Sequence, residues 1–154
     1  MCIDVFRNPV KAIMSAKKRK NMGKSWISLA EASILLALAA ALAGVRTVGL
    51  GSFSTQIAVI AAVSVFVVVF VSSIILGYIL KIIVTTLGGS GRYYEGLTAI
   101  AYSLLPISVA LFLASLFALV PQGIVLSAVL TAIGFAYGLS MLYRSIKELF
   151  KTDM

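Results

Sequence analysis

Between Trp26 and Tyr143 the chain is built of four apolar runs, at about 26–44, 57–80, 97–120 and 124–143, separated by short polar or glycine-bearing links. A helix rises about 1.5 Å per residue, so about 20 apolar residues cross a hydrocarbon core about 30 Å thick. Each run meets that length. The second is so rich in Val and Ile that it could be read as strand, but an open strand in lipid leaves its backbone groups unpaired, so helix is the expectation. Composition agrees: 61% of residues are hydrophobic and 12% charged, where a soluble domain carries about a quarter charged. The expected fold class is an all-α integral membrane protein, a four-helix transmembrane bundle. Pro106 falls inside the third run and removes a donor from the Tyr102 carbonyl, which predicts a kink. Pro121-Gln122-Gly123 is short enough to make the last two helices antiparallel neighbours.

The basic residues predict the orientation. With both termini on the cytoplasmic side, twelve of the 13 basic residues fall inside and Arg46 alone outside, as the positive-inside bias requires. Trp26, Tyr78, Tyr93, Tyr94 and Tyr143 gather at the same inner boundary, as an aromatic belt does. Residues 1–25 then form a basic cytoplasmic or interfacial segment, 26–143 the membrane domain and 144–154 a cytoplasmic tail. In a prokaryote such a protein belongs in the cell membrane. Asn8-Pro9 reads as a helix start, and Val10, Ile13 and Met14 share a face, so a short basic amphipathic helix is expected on the membrane surface. Lys11, Lys17, Lys18, Arg19, Lys20 and Lys24 are its candidate contacts to anionic lipid, each attracted by about 1 kcal/mol near the surface. No aromatic or groove-reading motif accompanies this charge, so no nucleic-acid partner is expected. The first 25 residues are basic and interrupted by polar groups, so no cleavable signal peptide is expected either.

The residue inventory narrows the chemistry. The chain has no His and one Cys, Cys2. A zinc or haem site on those ligands is therefore not expected, and an internal disulfide is impossible. Cys2 reads as an unmodified thiol. The glycines at 88, 89 and 91 lack the Lys-Ser/Thr that a phosphate loop needs and read as a turn. Among five acids no paired-carboxylate, Ser/His or HExxH arrangement occurs, so no catalytic residue and no cofactor is expected.

Two features inside the runs bear on packing and polarity. Gly134 and Gly138 form a GxxxG, and Ser73 and Gly77 share its small-xxx-small spacing, which suits close helix contact within the chain or between copies. Glu31 lies five residues beyond Trp26, about 7.5 Å along the helix. Tyr102 and Ser103 in the third run, and Tyr137 and Ser140 in the fourth, reach comparable depth. They are candidates for a polar cluster around Glu31; the alternative is an interfacial Glu31 facing headgroups or Lys24.

Several motifs carry a family resemblance. Phe6-Arg7-Asn8-Pro9 with its basic helix, the stretch Leu87-Gly88-Gly89-Ser90-Gly91-Arg92-Tyr93-Tyr94-Glu95, the following Ala101-Tyr102-Ser103-Leu104-Leu105-Pro106, and Tyr137-Gly138-Leu139 resemble prokaryotic members of the YIP family, the Ypt/Rab-GTPase-interacting membrane proteins. The resemblance spans nearly the whole chain. It implies a helical membrane protein without enzymatic activity. In eukaryotic members it implies vesicle traffic and small-GTPase partners; five spans and a long polar N-terminal region are usual there, against four spans and a short basic segment here. Two functions are then expected as alternatives. One is a non-enzymatic protein that organises lipids or partner proteins at the cytoplasmic face, its expected partners being anionic lipids and either other proteins or further copies of itself. The other is a small oligomeric transporter or channel-like protein using Glu31.

Overall fold

The computed structural model describes residues 22–48, 52–86, 88 and 92–150. All regular structure among them is helical: α1 (Met22–Val48), α2 (Ser52–Thr86), α3 (Tyr93–Phe117) and α4 (Ile124–Phe150), with a single 3-10 turn at Pro121–Gly123. All four helices are long and apolar enough to cross a membrane. The expected basic helix within 9–20 lies outside the described residues, as do Lys11, Lys17, Lys18, Arg19, Lys20 and the side chain of Lys24.

The helices outrun the apolar runs that mark them. Arg46 falls inside α1, and α2 continues six residues past Leu80. Apolarity marks what hydrocarbon can hold, whereas helix ends are set by where the backbone finds other partners. With 35 residues, α2 is about 52 Å long; a helix of that length crosses a bilayer tilted or with its ends outside the hydrocarbon. Four of its hydroxyls, those of Ser72, Ser73, Thr85 and Thr86, are satisfied within the helix. Ser73 Oγ donates to the Val69 carbonyl at 2.6 Å, Thr85 to Lys81 at 2.7 Å and Thr86 to Ile82 at 2.6 Å, so none demands water in an apolar surrounding.

α3 occupies the centre. α1, α2 and α3 pack on one another, and α4 packs chiefly on α3. α1 runs parallel to α3, and α2 and α4 run antiparallel to it, so α1 begins at the same end of the bundle at which α4 finishes. The hydrophobic core lies around α3. Leu29, Leu97 and Ala101 are wholly buried, with Trp26, Phe70, Ile74 and Tyr93 packed on them. A second cluster joins Ala32, Val84, Tyr102, Leu105, Met141 and Leu149.

Missing side chains set the closest approaches, because van der Waals packing rather than water exclusion holds helices together in lipid. At the α2–α3 crossing, a Cβ on Gly96 would collide with the Gly77 carbonyl, and one on Gly77 would stand 3.1 Å from the Leu97 Cα. At the α3–α4 crossing, a Cβ on Gly134 would collide with Ala110 Cβ and one on Gly138 with the end of Ile107. Both glycines of the GxxxG are buried and face α3, so the motif is engaged within the chain. Gly134, Gly138, Met141, Ser145 and Leu149 form one buried stripe along α4, with the three- and four-residue spacing of a helix face.

Two local devices position α3. At its start, Glu95 accepts the Arg92 backbone N–H at 2.8 Å and the Tyr94 hydroxyl at 3.1 Å. The carboxylate thereby joins the free amides of the first turn. At its other end Val120 N–H donates to Phe117 O at 3.2 Å and Gly123 N–H to Val120 O at 2.9 Å. A side chain at Gly123 would strike the Phe117 carbonyl, so the return to α4 needs a glycine there. Between these ends α3 is one helix through Pro106.

Candidate functional site

Polar side chains concentrate in a seam between α1 and α3, near the end where α1 begins. On α1, Ser25, Ser28 and Ala32 share a face by helical spacing; on α3, Thr98 and Tyr102 lie one turn apart. Because the two helices run parallel, the residues meet in order. Ser25 Oγ lies 2.7 Å from Thr98 Oγ1, and Thr98 gives its own hydrogen to the Tyr94 carbonyl at 2.6 Å. A hydroxyl has one hydrogen, so Ser25 is the donor in the first contact. One turn further in, the Tyr102 hydroxyl comes within hydrogen-bonding reach of Ser28 and within electrostatic reach of the Glu31 carboxylate. Ser25, Ser28, Thr98 and Tyr102 are each at most 3% exposed; Glu31 is half-buried. Ser33 Oγ, fully buried on α1, has no hydrogen-bond partner among the described residues.

Of the residues singled out from the sequence for the polar cluster, Glu31 lies within electrostatic reach of Tyr102, Tyr137 packs on the cluster that holds Tyr102, and Ser103 and Ser140 face elsewhere. Ser103 is buried, but its hydroxyl donates to the Ile100 carbonyl of its own helix at 2.9 Å, and its backbone faces Gly138 of α4. Adjacent residues on a helix point about 100° apart, so Tyr102 faces α1 while Ser103 faces α4. Tyr137 is half-buried against the cluster that contains Tyr102 and Met141. Ser140 is exposed on α4. Ser25, Ser28 and Thr98 were missed by sequence reasoning. Their signal was hydroxyls at helical spacing at the starts of two runs, but it names no partner helix until the parallel packing of α1 and α3 is known.

Two other features lie off the seam. Pro106, Val109, Leu113, Leu130, Ile133 and Tyr137 line an open apolar groove of about 280 Å³ between α3 and α4. At the α2–α3 crossing, the Lys81 ammonium stands 5.9 Å from the centre of the Tyr78 ring, and that ring lies 6.3 Å from Tyr93.

Comparison with known proteins adds one finding. The family model of the Yip1 domain matches residues 3–154, almost the full length. The chain belongs to the Yip1-domain family. No curated protein and no solved structure matches it. Family membership and the four apolar helices together make this a multi-pass membrane protein of the YIP type. The Yip1-domain family is not known as an enzyme family. The motifs of the resemblance have visible structural duties in this member. The Tyr93-Tyr94-Glu95 stretch builds the start of α3, Tyr102 joins α3 to α1, and Gly138 lets α4 reach α3.

Proposed function

We propose that this Yip1-domain protein is a non-enzymatic membrane protein that organises anionic lipids or partner proteins at the cytoplasmic face. The observation that carries the reading is the segregation of charge along the bundle. Lys81, Arg92, Glu95, Arg144, Lys147 and Glu148 sit toward the end of the bundle where α1 begins and α4 finishes, and the basic segment 1–25 leads into the same end. A surface of that sign attracts anionic headgroups and falls off over a Debye length of about 10 Å at 0.1 M salt. The buried seam ties α1, into which the basic segment leads, to α3, whose start carries Arg92 and Glu95. The test is purification of the full chain in mild detergent, with identification of what accompanies it. Enrichment of anionic lipid or of a reproducible partner protein, weakened by salt, supports the reading; a pure protein with only bulk lipid composition counts against it.

A transporter is the second reading, favoured by a half-buried Glu31 within electrostatic reach of Tyr102, since intramembrane acids commonly couple to ions. It requires proton-coupled uptake in vesicles that Glu31→Gln abolishes. Absence of flux in well-sealed vesicles removes it.

A further inference from the structure

α2 carries one charged side chain in 35 residues, Lys81. Its ammonium lies beside the Tyr78 ring. Glu95, the residue before Gly96 at the crossing, accepts the Arg92 N–H and the Tyr94 hydroxyl. A lysine ammonium at a membrane boundary is costly without an anion or water, and a ring face offsets only part of that cost. The crossing fixes the Lys81 backbone closely, because a Cβ on Gly96 would lie 3.6 Å from its nitrogen. Tyr93 stands beside the Tyr78 ring, its hydroxyl donating to the Ile74 carbonyl at 3.4 Å.

What lies below the ammonium matters as much. Val68, Val71, Ile75, Tyr78 and Ile82 follow one another at three- and four-residue spacing, hence along one face of α2. They are 64%, 48%, 53%, 54% and 50% exposed. An uncovered apolar column therefore runs from the Lys81 level toward the middle of the span. A cation at the head of an apolar track matches an amphiphile with a phosphate head and an acyl tail. A soluble phosphate would leave the column unused, and a neutral lipid would leave the ammonium without a net anionic partner.

We propose that Lys81, Tyr78 and Tyr93 form a binding site for an anionic phospholipid at the α2–α3 crossing. Its phosphodiester pairs with the ammonium and one acyl chain lies along Val68, Val71 and Ile75. The site rests on the reading that this end of the bundle meets the charged cytoplasmic leaflet, and it adds a structured position to the diffuse attraction of residues 1–25.

The chain contains its own reporter. Trp26 is the single tryptophan, and its ring lies 5.6 Å from Phe70, the residue beside Val71. The full chain is reconstituted in mixtures of phosphatidylcholine and phosphatidylglycerol brominated in the acyl chains, and Trp26 quenching is followed against composition. The expected result is a preference of about fivefold for the anionic lipid over the neutral one. Lys81→Gln should remove most of it and Lys81→Arg should restore it. A variant with Lys11, Lys17, Lys18, Arg19 and Lys20 neutralised should keep it. Tyr78→Leu, which retains the apolar column, provides a second variant with an expected smaller preference should Lys81→Gln not fold. Parity in the wild-type protein, or full preference in Lys81→Gln, overturns the site. Loss confined to the basic-segment variant also overturns it while leaving the broader lipid-organising reading intact; loss confined to Lys81→Gln supports it whatever becomes of that reading. Addition of inorganic phosphate or glycerophosphate should leave the quenching unchanged, and displacement by either overturns the assignment to a lipid.

Discussion

The two glycines at the α2–α3 crossing should respond very differently to the same added methyl group. A Cβ at Gly77 would stand 3.1 Å from the Leu97 Cα and 3.2 Å from its nitrogen, so the neighbour has to give by only a few tenths of an ångström. Alanine also gains about 1 kcal/mol over glycine in a helix interior. Against an overpacking cost at the low end of about 1–3 kcal/mol, Gly77→Ala should be close to neutral. A Cβ at Gly96 instead meets the Gly77 carbonyl oxygen and, at 3.6 Å, the Lys81 nitrogen. Both are backbone atoms, so no rotamer change relieves the collision. Carbon contacts are optimal near 3.5–4.0 Å, so the helices must separate by roughly 1 Å, and that loosens every dispersion contact along the crossing. We expect Gly96→Ala to lose about 3 kcal/mol or more even after the helix-propensity gain. At about 2–4 °C per kcal/mol for a chain of this size, its Tm should fall by roughly 6–12 °C, against about 2 °C or less for Gly77→Ala. Thermal unfolding in one detergent, followed by Trp26 fluorescence, reads both, since Trp26 packs on the same cluster as Leu97. Equal Tm values for the two variants, or a larger fall for Gly77→Ala, would refute the crossing geometry.

Three further outcomes follow from the same packing. A double-mutant cycle on Ser25→Ala and Thr98→Ala should give a coupling of about 0.6 kcal/mol, typical of hydrogen bonds between membrane helices; additive effects would mean that the 2.7 Å contact contributes nothing specific. Gly134→Leu combined with Gly138→Leu should lower the Tm by much more than the same change at Ser140, which is exposed, and detergent-solubilised Tm values check it. Single cysteines in a Cys2-free chain should be shielded from external reagent at positions 20, 90 and 150 and reactive at position 51, and external labelling at 150 would contradict the proposed orientation.

The number of spans, their approximate places and the segregation of charge can be read from the residues alone. The reason is physical: hydrocarbon admits only residues of one kind, so run length and composition speak without reference to any partner. The GxxxG in the fourth run was equally visible, because a missing side chain is a local property. Which surface it serves was not. Gly134 and Gly138 could have met another copy, and only the placement of Ala110 and Ile107 on α3 shows that the motif is used within the chain. Gly96 shows the reverse case. It stands in no small-residue motif with Gly77, being 19 positions away, and the crossing that requires it exists only in three dimensions. The polar residues follow the same division. Glu31 and Tyr102 were conspicuous in the sequence as polar groups inside apolar runs, yet Ser103, their equal by depth, turns toward α4 because it sits one residue round the helix. Depth along a membrane normal follows from counting residues. The direction a side chain faces, and so the partner it finds, depends on the helix packed beside it, and α3 has three.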